Sequence, residues 1–107
     1  MKTLPKISDA EWEVMKIVWK AGRALPAEAI AKSLSEQEWS YKTIRTLIDR
    51  LVAKGALSQR KEGRVYVFGS LLEEADCKLE ESKSLLNKLF GGSIAPMLAQ
   101  FVERRAL

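Results

Sequence analysis

The chain has 107 residues, 47% of them hydrophobic and 30% charged, with a formal net charge of +4. That length allows one compact domain with a short appendage and excludes two independent cores, and the balance is that of a soluble globular protein rather than a disordered one. No run approaches the roughly 18 apolar residues a membrane helix needs, and Met1-Lys2-Thr3-Leu4-Pro5-Lys6 is too short and polar to be the apolar core of a signal peptide, so a cytoplasmic location without membrane insertion is expected.

In chain order, Ser8 followed by Asp9 and Glu11 predicts a helix start, with the acids at the positive end of the dipole and Ile7 as a hydrophobic staple. Glu11, Val14, Met15, Val18 and Trp19 recur with the helical period, apolar except at the first position, and Gly22 ends the helix. Pro26 suits the first position of a second helix, whose inner face is Ala27, Ile30, Ala31 and Leu34. Ser35 to Trp39 break the pattern. A third helix is predicted from Ser40, as N-cap, to Gly55, as a left-handed terminator. Ile44, Leu47, Ile48, Leu51 and Val52 make one unbroken apolar face. The opposite face, with Lys42, Thr43, Arg45, Thr46, Asp49 and Arg50, holds no large apolar group, so it must be wet or bound to something polar.

After Gly55 the period shortens. Leu57–Lys61 and Arg64–Phe68 are predicted strands joined at Glu62-Gly63, with Gly63 supplying the positive φ of a tight turn. Two strands alone are marginal, so the hairpin must lean on the helices. From Leu71 the helix signal returns and runs to about Phe90, before a Gly91-Gly92 break. Ser93 then caps a last helix, with Pro96 tolerated near its first turn. The one cysteine, Cys77, excludes an intrachain disulfide and suits a reducing compartment as a small buried or half-buried thiol.

Charge is distributed unevenly. Residues 1–70 carry thirteen Lys/Arg and eight Asp/Glu, a balance of +5, and residues 71–107 carry five and six, a balance of −1. The excess is tightest where Lys42, Arg45, Arg50, Lys54, Arg60, Lys61 and Arg64 face only Asp49 and Glu62, the electrostatic footprint of a polyanion-binding surface.

Helix, helix, polar-faced helix and basic hairpin give a mainly α fold with a small β-hairpin. It reads as a winged helix-turn-helix over residues 1–70 followed by helices over 71–107. In that design the third helix enters the major groove of double-stranded DNA. Thr43 and Thr46 supply hydroxyls and a methyl for base edges, while Lys42, Arg45 and Arg50 can pair with guanine or phosphate. Tyr41 joins them as a candidate contact at the helix start, and Arg60, Lys61 and Arg64 surround the hairpin tip. Three other readings stay open. A winged helix used for protein–protein contact usually loses the positive face that this chain keeps. RNA binding lacks an aromatic stacking platform. An enzyme would have to work without His, a clustered carboxylate pair or a glycine-rich phosphate loop, so no catalytic residue, metal or cofactor is expected.

The chain resembles the penicillinase-repressor family (BlaI/MecI-like), which also includes the copper-responsive CopY repressors. Three stretches carry the likeness: Ile7-Ser8-Asp9-Ala10-Glu11-Trp12-Glu13-Val14-Met15, Trp39-Ser40-Tyr41-Lys42-Thr43-Ile44-Arg45-Thr46-Leu47, and Arg50-Leu51-Val52-Ala53-Lys54-Gly55-Ala56-Leu57. Lys61-Glu62-Gly63-Arg64, and Glu81-Ser82-Lys83-Ser84 through Phe101-Val102-Glu103, continue it. The resemblance implies a homodimeric transcriptional repressor on a palindromic operator, with Lys42, Thr43 and Thr46 reading bases. Arg45 and Arg50 match basic positions of the recognition helix, and the wing residues match backbone contacts. Leu85, Leu86, Leu89, Phe90, Ile94, Met97, Leu98, Phe101 and Val102 are more apolar surface than two short helices can hide. They could fold back onto the winged helix or form a self-complementary interface, and a dimerisation face is expected.

Two departures from the family pattern matter. The chain has no CxC cluster, so copper sensing by that route is not expected. In penicillinase repressors a partner membrane protease cuts an Asn-Phe bond in the last helix. The matching position here is Gln100-Phe101, where the resemblance implies a similar cut, and the chain reaches Leu107 soon after it.

Overall fold

The structure is a computed structural model that describes residues 4–91. In chain order these form α1 (Asp9–Ala21), β1 (Leu25–Pro26), α2 (Ala27–Ser33), a 3-10 turn (Ser35–Gln37), α3 (Tyr41–Ala53), β2 (Leu57–Glu62), β3 (Val65–Ser70) and α4 (Glu74–Leu89). The chain divides into two units, Met1–Glu73 and Glu74–Leu107. Among the described residues, no helix is long and apolar enough to cross a membrane.

The first unit is mainly helical with a small antiparallel sheet, in winged-helix order. α1 opens with a reciprocal capping box. The Glu11 amide donates to Ser8 Oγ at 3.2 Å, and the Ser8 amide donates to Glu11 Oε1 at 2.9 Å. Its buried face is Glu11, Val14, Met15 and Val18, and Gly22 closes it in the left-handed region. The Trp19 indole N–H is shared between Ser70 Oγ (2.9 Å) and the Leu72 carbonyl (3.1 Å), which fastens α1 to the end of β3.

β1 is a strand that periodicity did not reveal. Leu25 pairs with Phe68 and Pro26 with Val67, giving a sheet ordered β1-β3-β2 with β1 at an edge, where a proline without an N–H is tolerated. This corrects the place of Pro26. It is the N-cap of α2 in an extended conformation (φ −70, ψ 157), and the helix proper begins at Ala27.

α3 starts at Ser40, whose Oγ accepts the Thr43 amide at 3.1 Å. It ends in a Schellman pattern: the Gly55 amide donates to the Val52 carbonyl (3.0 Å) and the Ala56 amide to the Leu51 carbonyl (2.9 Å). Gly55 has φ +80, a conformation that would strain any side chain, so the sharp exit toward β2 depends on glycine there.

In the hairpin Glu62 pairs with Val65, so the two-residue turn is Gly63-Arg64, one position later than the sequence predicts. Gly63 carries positive φ (66) at the first central position of the turn and Arg64 does not. The helix after the sheet also begins later, at Glu74 rather than Leu71. The Leu71 amide is held by the Ala56 carbonyl (3.0 Å) and the Leu72 amide by Ser70 Oγ (3.1 Å), so these residues extend the sheet's end into a bend.

Met15, Ile30, Ile44, Ile48, Leu51 and Phe68 are fully buried at the centre of the core. Each contributes about 1.5–3 kcal/mol by leaving water. That core joins the inner faces of α1, α2 and α3 to one face of the sheet, so the outer face of α3 and the hairpin tip are left to solvent.

Candidate nucleic-acid interface

The outer face of α3 carries Tyr41, Lys42, Thr43, Thr46, Asp49 and Arg50, all exposed, while Arg45 is half-buried. The two threonines are engaged in opposite senses. Ser40 donates its hydroxyl to Thr43 Oγ1 at 3.0 Å, which leaves Thr43 its own proton to donate. Thr46 donates its hydroxyl to the Lys42 carbonyl at 3.0 Å, which leaves it oxygen lone pairs and a methyl. One turn of helix therefore offers a donor, an acceptor and an apolar contact, the three features that distinguish base pairs in a major groove.

The basic residues divide by what they touch. Lys42 and Arg50 form no ion pair among the described residues. Arg45 differs: its Nε lies 3.3 Å from Asp49 Oδ1, and its guanidinium carbon sits 4.9 Å from the centroid of the Phe68 ring. This cation–π contact holds Arg45 at the seam between α3 and β3. It also neutralises Asp49, the one acid on the outer face of α3.

On the wing, cross-strand partners share a face. Lys61 pairs with Tyr66 and Gln59 with Phe68, so Lys61 and Tyr66 stand on the side of the sheet that holds the core and Arg45. Arg60 pairs with Val67, and Glu62 with Val65, on the other side, where Arg60 Nη2 lies 3.2 Å from Glu62 Oε2. Lys61, and Arg64 in the turn, form no ion pair among the described residues. Tyr66, 47% exposed beside Lys61, is a member of this surface that charge reading passed over; its signal was an aromatic in a strand whose partner is a lysine.

Lys54 leaves the basic stripe altogether. Its ammonium binds the Glu11 carboxylate and donates to the Lys6 carbonyl at 2.8 Å, joining the end of α3 to the start of α1. Glu11 is only 1% exposed. Burial alone would push its carboxyl up, but the hydrogen bonds and charge of Lys54, with those of Ser8, outweigh burial and hold it below the ordinary carboxylate range.

Of the residues expected to pair subunits, Leu85 (55%), Leu89 (65%) and Phe90 (49%) are exposed on α4 and Leu86 is half-buried. Ile94, Met97, Leu98, Phe101 and Val102, and the expected cleavage position Gln100-Phe101, lie outside the described residues. Cys77 is a buried free thiol, pushed up by burial and by the neighbouring Asp76 charge, so it stays protonated at neutral pH.

Comparison with known proteins identifies the family. Residues 7–107 match the family described as penicillinase repressor. The chain is 42% identical over 107 residues to the penicillinase repressor of Bacillus licheniformis, covering 100% of this chain and 84% of that one. It is 40% identical over 102 residues to the methicillin resistance regulatory protein MecI of Staphylococcus aureus, covering 95% and 83%. Its fold is similar to the solution structure of the monomeric form of Bacillus licheniformis BlaI in complex with the blaP half-operator. There the TM-score is 0.61 and the identity 48%, covering 71% of this chain and 93% of that one. The chain belongs to the penicillinase repressor family.

Proposed function

We propose that this chain is a transcriptional repressor that grips duplex DNA with the outer face of α3 and with the wing. The carrying observation is the outer face itself: Thr43 and Thr46 with complementary hydrogen-bonding capacity, flanked by Lys42 and Arg50, which form no ion pair among the described residues. That similar BlaI structure was solved with a half-operator, which supports the same use of the same fold. In this reading Tyr41, Lys42, Thr43, Thr46 and Arg50 meet the major groove. Arg60, Lys61 and Arg64 meet phosphates or the adjoining minor groove, and Arg45 steadies α3 against the sheet while its outer nitrogens reach a phosphate.

The repressor acts as a homodimer on a palindromic operator, residues 1–70 reading DNA and residues 71–107 pairing the subunits. Leu85, Leu86, Leu89 and Phe90 supply the described part of the interface. Two linked half-sites convert modest affinities into tight binding by effective concentration. Induction follows from proteolysis at Gln100-Phe101 by a membrane protease, which removes part of the apolar stripe and loosens the dimer. The test is a binding selection from random duplex DNA, followed by a salt titration on the winner. A recovered palindrome with a steep salt dependence supports the reading. Recovery of no preferred sequence leaves a protein-binding winged helix.

A further inference from the structure

A second basic surface is left over once the DNA face is assigned. Lys20, Arg23 and Lys32 line a groove of about 590 Å³ formed by α1, β1 and α2, and none forms an ion pair among the described residues. Ile17, Ala21, Leu25 and Ala29 supply its apolar floor. Lys20 and Lys32 each sit in the last turn of a helix, where the dipole favours a cation. That accounts for neither Arg23, in the loop between, nor the apolar floor beneath all three. A cationic rim over an apolar floor fits a helix face that offers one apolar side chain between carboxylates.

The second unit carries such a face. Asp76, Leu79 and Glu80 fall at i, i+3 and i+4 on α4, Leu79 is 56% exposed, and neither acid forms an ion pair among the described residues. We propose that α4 of one copy docks its Asp76, Leu79 and Glu80 in the groove of a second copy, Leu79 on the apolar floor and the carboxylates on Lys20, Arg23 and Lys32. Knob and groove are different surfaces, so each copy offers both, and the contact adds copies beyond the homodimer either in a row or in a closed set. It is weak and salt-sensitive because the groove is small and its charges are exposed. It becomes populated where copies are held side by side, as on neighbouring DNA sites in the reading above.

Sedimentation velocity of the full chain, over rising concentration at low and high ionic strength, tests the contact. The expected result is growth beyond the homodimer at low salt that high salt abolishes. Lys20→Glu/Arg23→Glu/Lys32→Glu and, separately, Asp76→Lys/Glu80→Lys weaken association by on the order of ten-fold or more. All five changes together restore it. Arg23→Gln, a single change in an exposed loop, gives a smaller loss in the same direction and guards against misfolding of the multiple variants. Leu85→Asp/Leu89→Asp removes the proposed homodimer and leaves the salt-sensitive growth in place, so the two interfaces fail separately. A wild-type chain of fixed size at every salt and concentration overturns the proposal and leaves the groove to another acidic partner. Growth indifferent to the charge reversals, or not restored by the combined change, overturns it as well.

Discussion

α3 and α4 are helices of 13 and 16 residues, and both carry apolar residues. α3 buries Ile44, Leu47, Ile48 and Leu51, whereas α4 buries Cys77 alone among its residues and leaves Leu79, Leu85 and Leu89 exposed. An apolar stripe therefore says that something must cover it, without saying what. In α3 the cover is the unit's own core, and the helix is free to turn its polar side outward for recognition. In α4 Leu79, Leu85 and Leu89 stay exposed, and the dimer proposed above would cover Leu85 and Leu89.

The contrast is sharpest in stability. Ile48→Ala leaves a cavity in a close-packed core and lowers unfolding free energy by about 2–5 kcal/mol in a denaturant titration. Leu89→Ala changes the stability of the dilute, monomeric chain by less than about 0.5 kcal/mol and shifts self-association to higher concentration. Equal losses at both positions would erase the distinction.

Lys54→Ala comes next, because it strands the buried Glu11 carboxylate and costs about 1–3 kcal/mol. The folded-state pKa of Glu11 is depressed, so the stability it contributes is present above its unfolded pKa of about 4.3 and is lost as pH falls through the folded value. The gap between wild type and variant should therefore close in acid, below about pH 4. A gap that stays constant through that range would remove the ion pair from the account.

The outer face of α3 gives smaller, selective effects. Thr46→Ala should cost roughly 1–3 kcal/mol at one base position. Lys61→Ala should weaken all sequences about equally and reduce the salt slope by about 0.9. Equal loss on specific and random duplexes for Thr46→Ala would refute base reading by that residue.

Much of the fold was legible because long periodic elements announce themselves. Ser8, Gly22, Ser40 and Gly55 marked helix ends by the chemistry of their caps. β1 was not legible, since two residues have no period and Leu25 becomes a strand only by pairing with the distant Phe68. The turn slipped by one residue because Gly63 suits either central position, and only the pairing of Glu62 with Val65 decides. The candidate site was legible in its composition and less so in its division of labour. Charge counting put Lys54 in the basic stripe, although Glu11 on a buried stripe already required a cation from elsewhere in the chain. Nor could it show that Arg45 rests on Phe68, since that ring belongs to another element.

The most direct test of the central claim is amide chemical-shift mapping of the chain as a selected half-site duplex is added. The account predicts that the large shifts fall on residues 41–46 and Arg50 of α3 and on residues 60–64 of the wing, with Lys54 and the α1–α2 groove little changed. Shifts centred on α4 or on that groove, with α3 unmoved, would contradict it.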